Sequence, residues 1–318
     1  MFNARTDLAI EATAVFNKEK DDINRLDGVE ADIVKRKNIV ITRVDITNEN
    51  GSKNIGKPIG TYITLDSPLL REHDDENFND TSKCLCDELK RILSKHKFSS
   101  VLVVGLGNWN VTPDALGPKV VSNLLVTRHL FSNNDGVKTL SAISPGVLGI
   151  TGIETGEIIK GVCERTKPDI VIAIDALASR KMERISTTIQ ICDTGIIPGS
   201  GIGNHRQGIT EDFLGIPVIA IGVPTVVDAA TVANDSIEIL IENIKKYASE
   251  DSSLKKSISV FENDNRYVLI KEVLSPYVGE LVVTPKEVDL VIDDVSKIIA
   301  NAINDVMIGE NQNMKNVL

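Results

Sequence analysis

Two aspartates carry the chemistry this sequence is best equipped to perform. Asp114 lies in the glycine-rich stretch GLGNWNVTPDALGP, Gly105 to Pro118, directly after the branched apolar run Val101-Leu102-Val103-Val104. Asp175 ends the run IVIAID. Continuous apolar runs of this kind read as strands covered on both faces. In open α/β sheets, ligands collect at the carboxyl ends of such strands. A carboxylate there costs desolvation unless it is partnered. Two of them point to paired-carboxylate chemistry, with one acid ionised and one neutral. Each also has a purely structural reading. Thr112-Pro113-Asp114 fits the N-cap, N1 and N2 positions of a following helix, where proline and acids are favoured. Asp175 fits a buried carboxylate capping a loop. If both are catalytic, Asp114 at a helix N-terminus is the expected base and Asp175, if buried, the expected acid.

The other motifs are less specific. The Gly105 loop resembles a phosphate cradle, yet it holds no lysine or arginine before Lys119. GSGIGN, Gly199 to Asn204, could form an anion nest, but neither the Rossmann spacing nor a Walker lysine accompanies it. Asp193-Thr194-Gly195 spells the short motif of pepsin-like proteases, which are all-β folds. No Gly-x-Ser-x-Gly elbow occurs. Arg180, Lys181 and Arg184, with Arg206 further on, form either a solvated face or a recognition patch for an acidic ligand. The four cysteines and four histidines do not fall into the close pairs of a zinc site. Free, reduced thiols are expected, with no metal and no cofactor.

These residues need a scaffold, and the pattern from residue 99 onward supplies one. Apolar strands at 101–104, 170–174, 185–192 and 217–223 alternate with helical stripes. One stripe lies between residues 114 and 131, and others cover 226–244 and 288–306, the last opened by the capping box Thr284-Pro285-Lys286-Glu287. Upstream, 38–47 and 59–65 alternate as half-buried strands. The polar run Arg71 to Asp80 reads as a loop or helix lead-in, with a helix at about 81–97. Residues 1–37 show no clean period, and 249–257 and 309–318 read as a surface loop and a frayed tail. The expected fold is an α/β three-layer sandwich with a mixed, largely parallel sheet.

Bulk properties narrow the function classes. The chain has 318 residues, 42% of them hydrophobic and 25% charged, as in an ordinary globular protein. Its net charge of −10 speaks against direct nucleic-acid binding. No apolar run approaches the ~18 residues of a membrane span, and the N-terminus lacks a signal-type apolar core. A cytoplasmic location and no membrane partner are expected.

The motifs GLGNWNVTPDALGP, VTRHLF (126–131), SPGVLG (144–149), IAIDALASR (172–180) and TTIQICDTGIIPGSGIGNHR (187–206), with the N-terminal RTDLAIEA (5–12), closely resemble the germination proteases of spore-forming Firmicutes. The likeness runs over nearly the whole chain. It implies an endopeptidase that degrades small acid-soluble spore proteins in the spore core, made as a homotetrameric zymogen that removes its own N-terminal segment. It implies a fold like that of the hydrogenase-maturation endopeptidases, whose members engage nickel. It also implies a metal-independent, atypical aspartic mechanism on the residues matching Asp114 and Asp175. The family's cleavage frame matches Thr6-Asp7-Leu8-Ala9, with the cut between Asp7 and Leu8. Residues 1–7 are then the prosegment and 8–318 a single catalytic domain. The competing readings are a metal-dependent maturation peptidase and an anion-binding module on the same fold.

Overall fold

A computed structural model describes residues 26–72, 74–131, 138–198, 207–247, 266–279 and 281–308. The described residues open with an antiparallel ribbon, β1 (Val29–Arg36) and β2 (Ile39–Ile46), followed by α1 (Glu49–Ile55) and β3 (Gly60–Asp66). α2 (Asp75–Leu93) leads into β4 (Ser100–Gly105), α3 (Leu116–Ser122) and β5 (Thr139–Ile143). Two helices, α4 (Leu148–Thr151) and α5 (Thr155–Thr166), precede β6 (Ile170–Ser179) and β7 (Thr188–Cys192). α6 (Glu211–Leu214) and β8 (Val218–Asp228) follow. The chain then forms α7 (Ala229–Tyr247), α8 (Arg266–Val278), β9 (Val282–Val283) and α9 (Val288–Ile308).

One mixed sheet runs in the order β1-β2-β3-β7-β8-β6-β4-β5, with β9 added to β8. The parallel strands are β5, β4, β6 and β8. β7 enters antiparallel between β3 and β8, so the N-terminal ribbon continues the sheet antiparallel. Strand alternation sorts the side chains into two layers. Ile170, Ile172 and Ile174 of β6 join the larger core, packed under α2, α3 and α9. Val171 and Ala173 face the opposite side, where α5 contributes Ile159 and Cys163. α1 covers the same side further along, against Val44 and Tyr62. The result is the three-layer α/β arrangement expected from the alternation of strands and helices.

Several local boundaries differ from expectation, each for a physical reason. The polar run before α2 does more than lead in. The Asp74 side chain accepts the Asn77 N–H at 2.9 Å as an N-cap, and Asp75 and Glu76 fill the first turn. The helix therefore starts at Asp75. Thr284 does not form a capping box, because its hydroxyl donates to the Thr225 carbonyl at 2.8 Å and the helix begins at Val288. β7 begins at Thr188 because Met182–Arg184 forms a 3-10 turn and Ser186 has a left-handed φ of 58°. β1 escaped the sequence pattern because it is a charged edge strand, VEADIVKR.

Candidate active site

Asp114 stands in a 3-10 turn, Thr112–Asp114, and not in the first turn of a helix. The cause is Pro118. A helix from Thr112 would need the residue 118 N–H to bond the Asp114 carbonyl, and proline has none. That carbonyl instead accepts the Asn108 N–H at 3.1 Å. Asp114 Oδ2 accepts the same N–H at 2.8 Å. Both oxygens of one residue thus fix the loop that precedes it. α3 then starts separately at Leu116.

The glycines of this loop are there for contact. A Cβ on Gly107, whose φ is +109°, would stand 2.0 Å from the Asp114 carbonyl oxygen. A Cβ on Gly105 would stand 2.2 Å from the Gly117 carbonyl oxygen, so strand end and helix start lie backbone to backbone. Trp109 and Val111, 57% and 47% exposed, form an apolar rim on this loop.

Asp175 does not end its strand, since β6 continues to Ser179. What ends there is the contact with β4. Gly105 pairs with Ile174, and the Leu106 N–H donates to the Ile174 carbonyl at 2.8 Å. The next amide on that side, from Ala176, has lost its strand neighbour. The Asp175 carboxylate accepts it at 2.9 Å. Asp175 itself is 6% exposed. The Asp114 turn packs against β6 and β8, so both acids belong to the carboxyl edge of the parallel strands, Asp114 half-buried and Asp175 buried.

The described members of the basic cluster have different partners. Arg184 is turned inward, with its guanidinium 3.5 Å from Asp66, which also accepts the Thr188 hydroxyl at 2.7 Å. Lys181 is exposed, 3.7 Å from Glu183. Arg180 directly follows Ser179, the last residue of β6. Arg206, GSGIGN, Asp7 and Leu8 lie outside the described residues. Asp193 of the Asp-Thr-Gly motif is a structural clasp. Its carboxylate accepts the Thr61 N–H at 2.7 Å and pairs with Lys95 at 2.8 Å. Among the described residues, no group of three His, Cys, Asp or Glu side chains is arranged to hold a metal ion. All four cysteines are free and buried.

Sequence reading missed Gln190, a polar residue 6% exposed within the strand TIQIC. Its signal was present: an amide between two isoleucines, in a strand buried at every position.

The fold and its edge define a class: a three-layer α/β protein with two acids near the carboxyl edge of its parallel strands, one in the turn after β4 and one within β6. Comparison with known proteins narrows it. The family model described as germination protease matches residues 6–263 and 257–317. A germination protease of Clostridium acetobutylicum is 52% identical over 312 residues, 96% of this chain and 95% of that one. One of Caldanaerobacter subterraneus subsp. tengcongensis is 53% identical over 305 residues, 94% and 93% of the two chains. One of Bacillus thuringiensis is 43% identical over 342 aligned positions, 95% and 93%. The chain belongs to the germination protease family, and it is a spore peptidase. Among solved structures, a NiFe hydrogenase maturation protease, HycI from Thermococcus kodakarensis, matches at 22% identity and a TM-score of 0.30. It covers 43% of this chain and 80% of its own, a likeness too slight to carry an argument.

Proposed function

We propose that the chain is an endopeptidase that opens the degradation of small acid-soluble spore proteins during germination, with Asp114 and Asp175 as an aspartic pair. One observation supports the reading: an acid in the turn after β4 and an acid within β6 both lie at the carboxyl edge of the parallel strands, each accepting a backbone N–H. Asp114, the more open of the two, takes a proton from a water held between them. The resulting hydroxide attacks the scissile carbonyl carbon. Asp175, withdrawn from solvent, carries the proton that passes to the leaving nitrogen as the C–N bond breaks. A proton then returns from Asp114 to Asp175, which resets the pair. Atoms and charge balance without a metal or cofactor.

The substrate is acidic around its cleavage site. Arg180 and Lys181 follow the end of β6, five and six residues past Asp175, or roughly 16–20 Å of extended chain. They are assigned to acidic side chains flanking the scissile bond, with Arg206 as a further member. Arg184 is assigned to that group with a second role, since its tie to Asp66 also holds β3 against β7. The chain is made as a zymogen of the spore core, cut between Asp7 and Leu8, and works as a homotetramer. Exposed Leu269, Val273 and Tyr277 on α8, with Leu281 and Val282 beside them, support association.

The test uses purified full chain and a peptide reproducing residues 4–12. Asp114→Asn and Asp175→Asn should each lower cleavage of the peptide and self-processing by about 10²–10⁴-fold. Wild-type rates in either variant sink the assignment. Activity should persist in chelator, and Arg180→Glu with Lys181→Glu should raise KM for the acidic peptide.

A further inference from the structure

Asn108 lies between β4 and the Asp114 turn, and nearly all of its polar groups have partners. Its main-chain N–H donates to Asp114 Oδ2 at 2.8 Å and to the Asp114 carbonyl at 3.1 Å. Its main-chain carbonyl accepts the Val111 N–H at 3.1 Å. Its side-chain Oδ1 accepts the Asn110 N–H at 3.0 Å. A main-chain donor needs an acceptor opposite it, so Oδ1 is the atom that faces Asn110 and Nδ2 the atom that faces away. Nδ2 carries two N–H bonds and has no acceptor among the described residues.

The residue type is informative. Aspartate at 108 would form the same turn with Asn110. It would also set a second negative charge beside Asp114. Asparagine forms the turn without the charge and adds two donors. The tie to Asn110 fixes the plane of the carboxamide, so those donors are oriented before a ligand arrives. Asn108 is half-buried, like Asp114, while Trp109, Asn110 and Val111 between them are exposed. Nδ2 lies no more than ~5 Å from its own main-chain nitrogen by covalent geometry. That nitrogen is 2.8 Å from Asp114 Oδ2, which puts Nδ2 at most ~8 Å from the carboxylate. The span accommodates a water bonded to Asp114 and a peptide carbonyl bonded to Nδ2, each over ~3 Å.

We propose that Asn108 is a catalytic residue: its side-chain amide donates to the oxygen of the scissile carbonyl while that oxygen carries negative charge. This rests on the reading of Asp114 as the base. As the water oxygen bonds to the carbonyl carbon, the C=O π pair moves onto the carbonyl oxygen, where the Nδ2 N–H bonds stabilise it. The pair returns to carbon as the C–N bond breaks and the nitrogen takes its proton from Asp175. Asn108 gains and loses nothing. Its main chain holds the base and its side chain holds the oxyanion, so one residue sets the distance between them.

The test uses the full chain and the peptide reproducing residues 4–12. Asn108→Ala and Asn108→Asp should each lower kcat by about 10²–10³-fold, with KM within about twofold of the parent. Asn108→Asp keeps the acceptor that the Asn110 N–H requires and removes both donors. Two inhibitors built on the same peptide separate a lost donor from a disturbed loop. One has a phosphinate in place of the Asp7–Leu8 amide and so carries the charged oxygen. The other has a methylene-amine there and no oxygen. Asn108→Ala should bind the phosphinate about 10²-fold more weakly than the parent does, and the methylene-amine within about twofold of it. A parental kcat in Asn108→Ala, or equal loss of both inhibitors, overturns the inference. If Asn108→Ala fails to fold, a parental kcat in Asn108→Asp overturns it instead. Asp114→Asn separates the two failures. If Asp114→Asn stays active, the reading of Asp114 falls. If it is inactive while Asn108→Ala keeps the parental kcat, only the inference about Asn108 falls.

Discussion

Replacing Gly107 by alanine tests whether the loop geometry at Asp114 is as tightly specified as it looks. Gly107 has φ +109°, a conformation that costs an alanine about 1–2 kcal/mol. The added methyl would also stand 2.0 Å from the Asp114 carbonyl oxygen, a main-chain atom that cannot rotate aside. The loop must open, and the Asn108 N–H loses its contacts to Asp114 Oδ2 at 2.8 Å and to the carbonyl at 3.1 Å. A hydrogen bond to a charged acceptor contributes about 1.5–3 kcal/mol. The total is a loss of about 3–5 kcal/mol. Gly152→Ala is the control. Gly152 has φ +70° with nothing within 4 Å of a new Cβ, so only the backbone cost of about 1–2 kcal/mol applies. Urea unfolding of both variants reads the difference, expected to be about 2–3 kcal/mol. Peptide cleavage by the folded Gly107→Ala protein should fall by about 10²-fold, as a displacement near 1 Å at a reacting group does. Equal midpoints for the two variants, or a parental cleavage rate in Gly107→Ala, would refute the reasoning.

Glu88 is 2% exposed and holds Arg43 by two bonds, at 2.9 and 2.6 Å, so Glu88→Ala should cost about 1.5–3 kcal/mol in denaturant unfolding by leaving the part-buried guanidinium with Asp32, at 2.8 Å, as its remaining acid. Asp169 ties the starts of β4 and β6 by accepting the N–H and hydroxyl of both Ser99 and Ser100 at 2.8–3.0 Å. Burial pushes its carboxyl up, but the bonds from Ser99 and Ser100 outweigh it, and the net position is below the ordinary 3.8. The stabilisation is therefore fully present above pH 3.8 and lost as pH falls through the depressed folded value. The urea-midpoint gap between the parent and Asp169→Asn should accordingly narrow in acid and stay constant near neutrality. Cys163, whose thiol burial pushes up to about 11, should resist a thiol-specific reagent until the chain is unfolded, as should the other three buried cysteines.

Three of the four parallel strands were legible because burial on both faces writes itself as continuous apolar runs; Val101–Val104 and Ile170–Ile174 needed nothing else, whereas β5, the half-buried edge strand TLSAI, was not read. α9 was legible for the related reason that its stripe has one dominant face. Boundaries governed by a single polar contact were not. Nothing in the spelling of Thr284 says that its hydroxyl prefers the Thr225 carbonyl to its own helix. The chemical candidates Asp114 and Asp175 could be located from strand ends. Their surroundings could not, because Pro118 acts on a carbonyl four residues back, and because strand register brings Gln190 beside Gly222 and Asp175 from distant parts of the chain. For the basic residues, spacing showed a cluster but not its partners: the turn at Met182–Arg184 brings Arg184 to Asp66 of β3, a contact between distant parts of the chain.

The shared Asn108 amide has a consequence for where entropy is lost. A free aspartate side chain samples several rotamers, and a ligand that needs one of them must freeze the rest on arrival. In this chain the side-chain and main-chain oxygens of Asp114 close a chelate on a single donor, so those rotamers are given up when the polypeptide folds. On the proposed function, a substrate would meet a carboxylate already aimed, and its binding energy would be left for the parts of the peptide that do move. The Asn108 N–H is also a natural reporter of that state: its rate of hydrogen exchange measures how often the chelate opens.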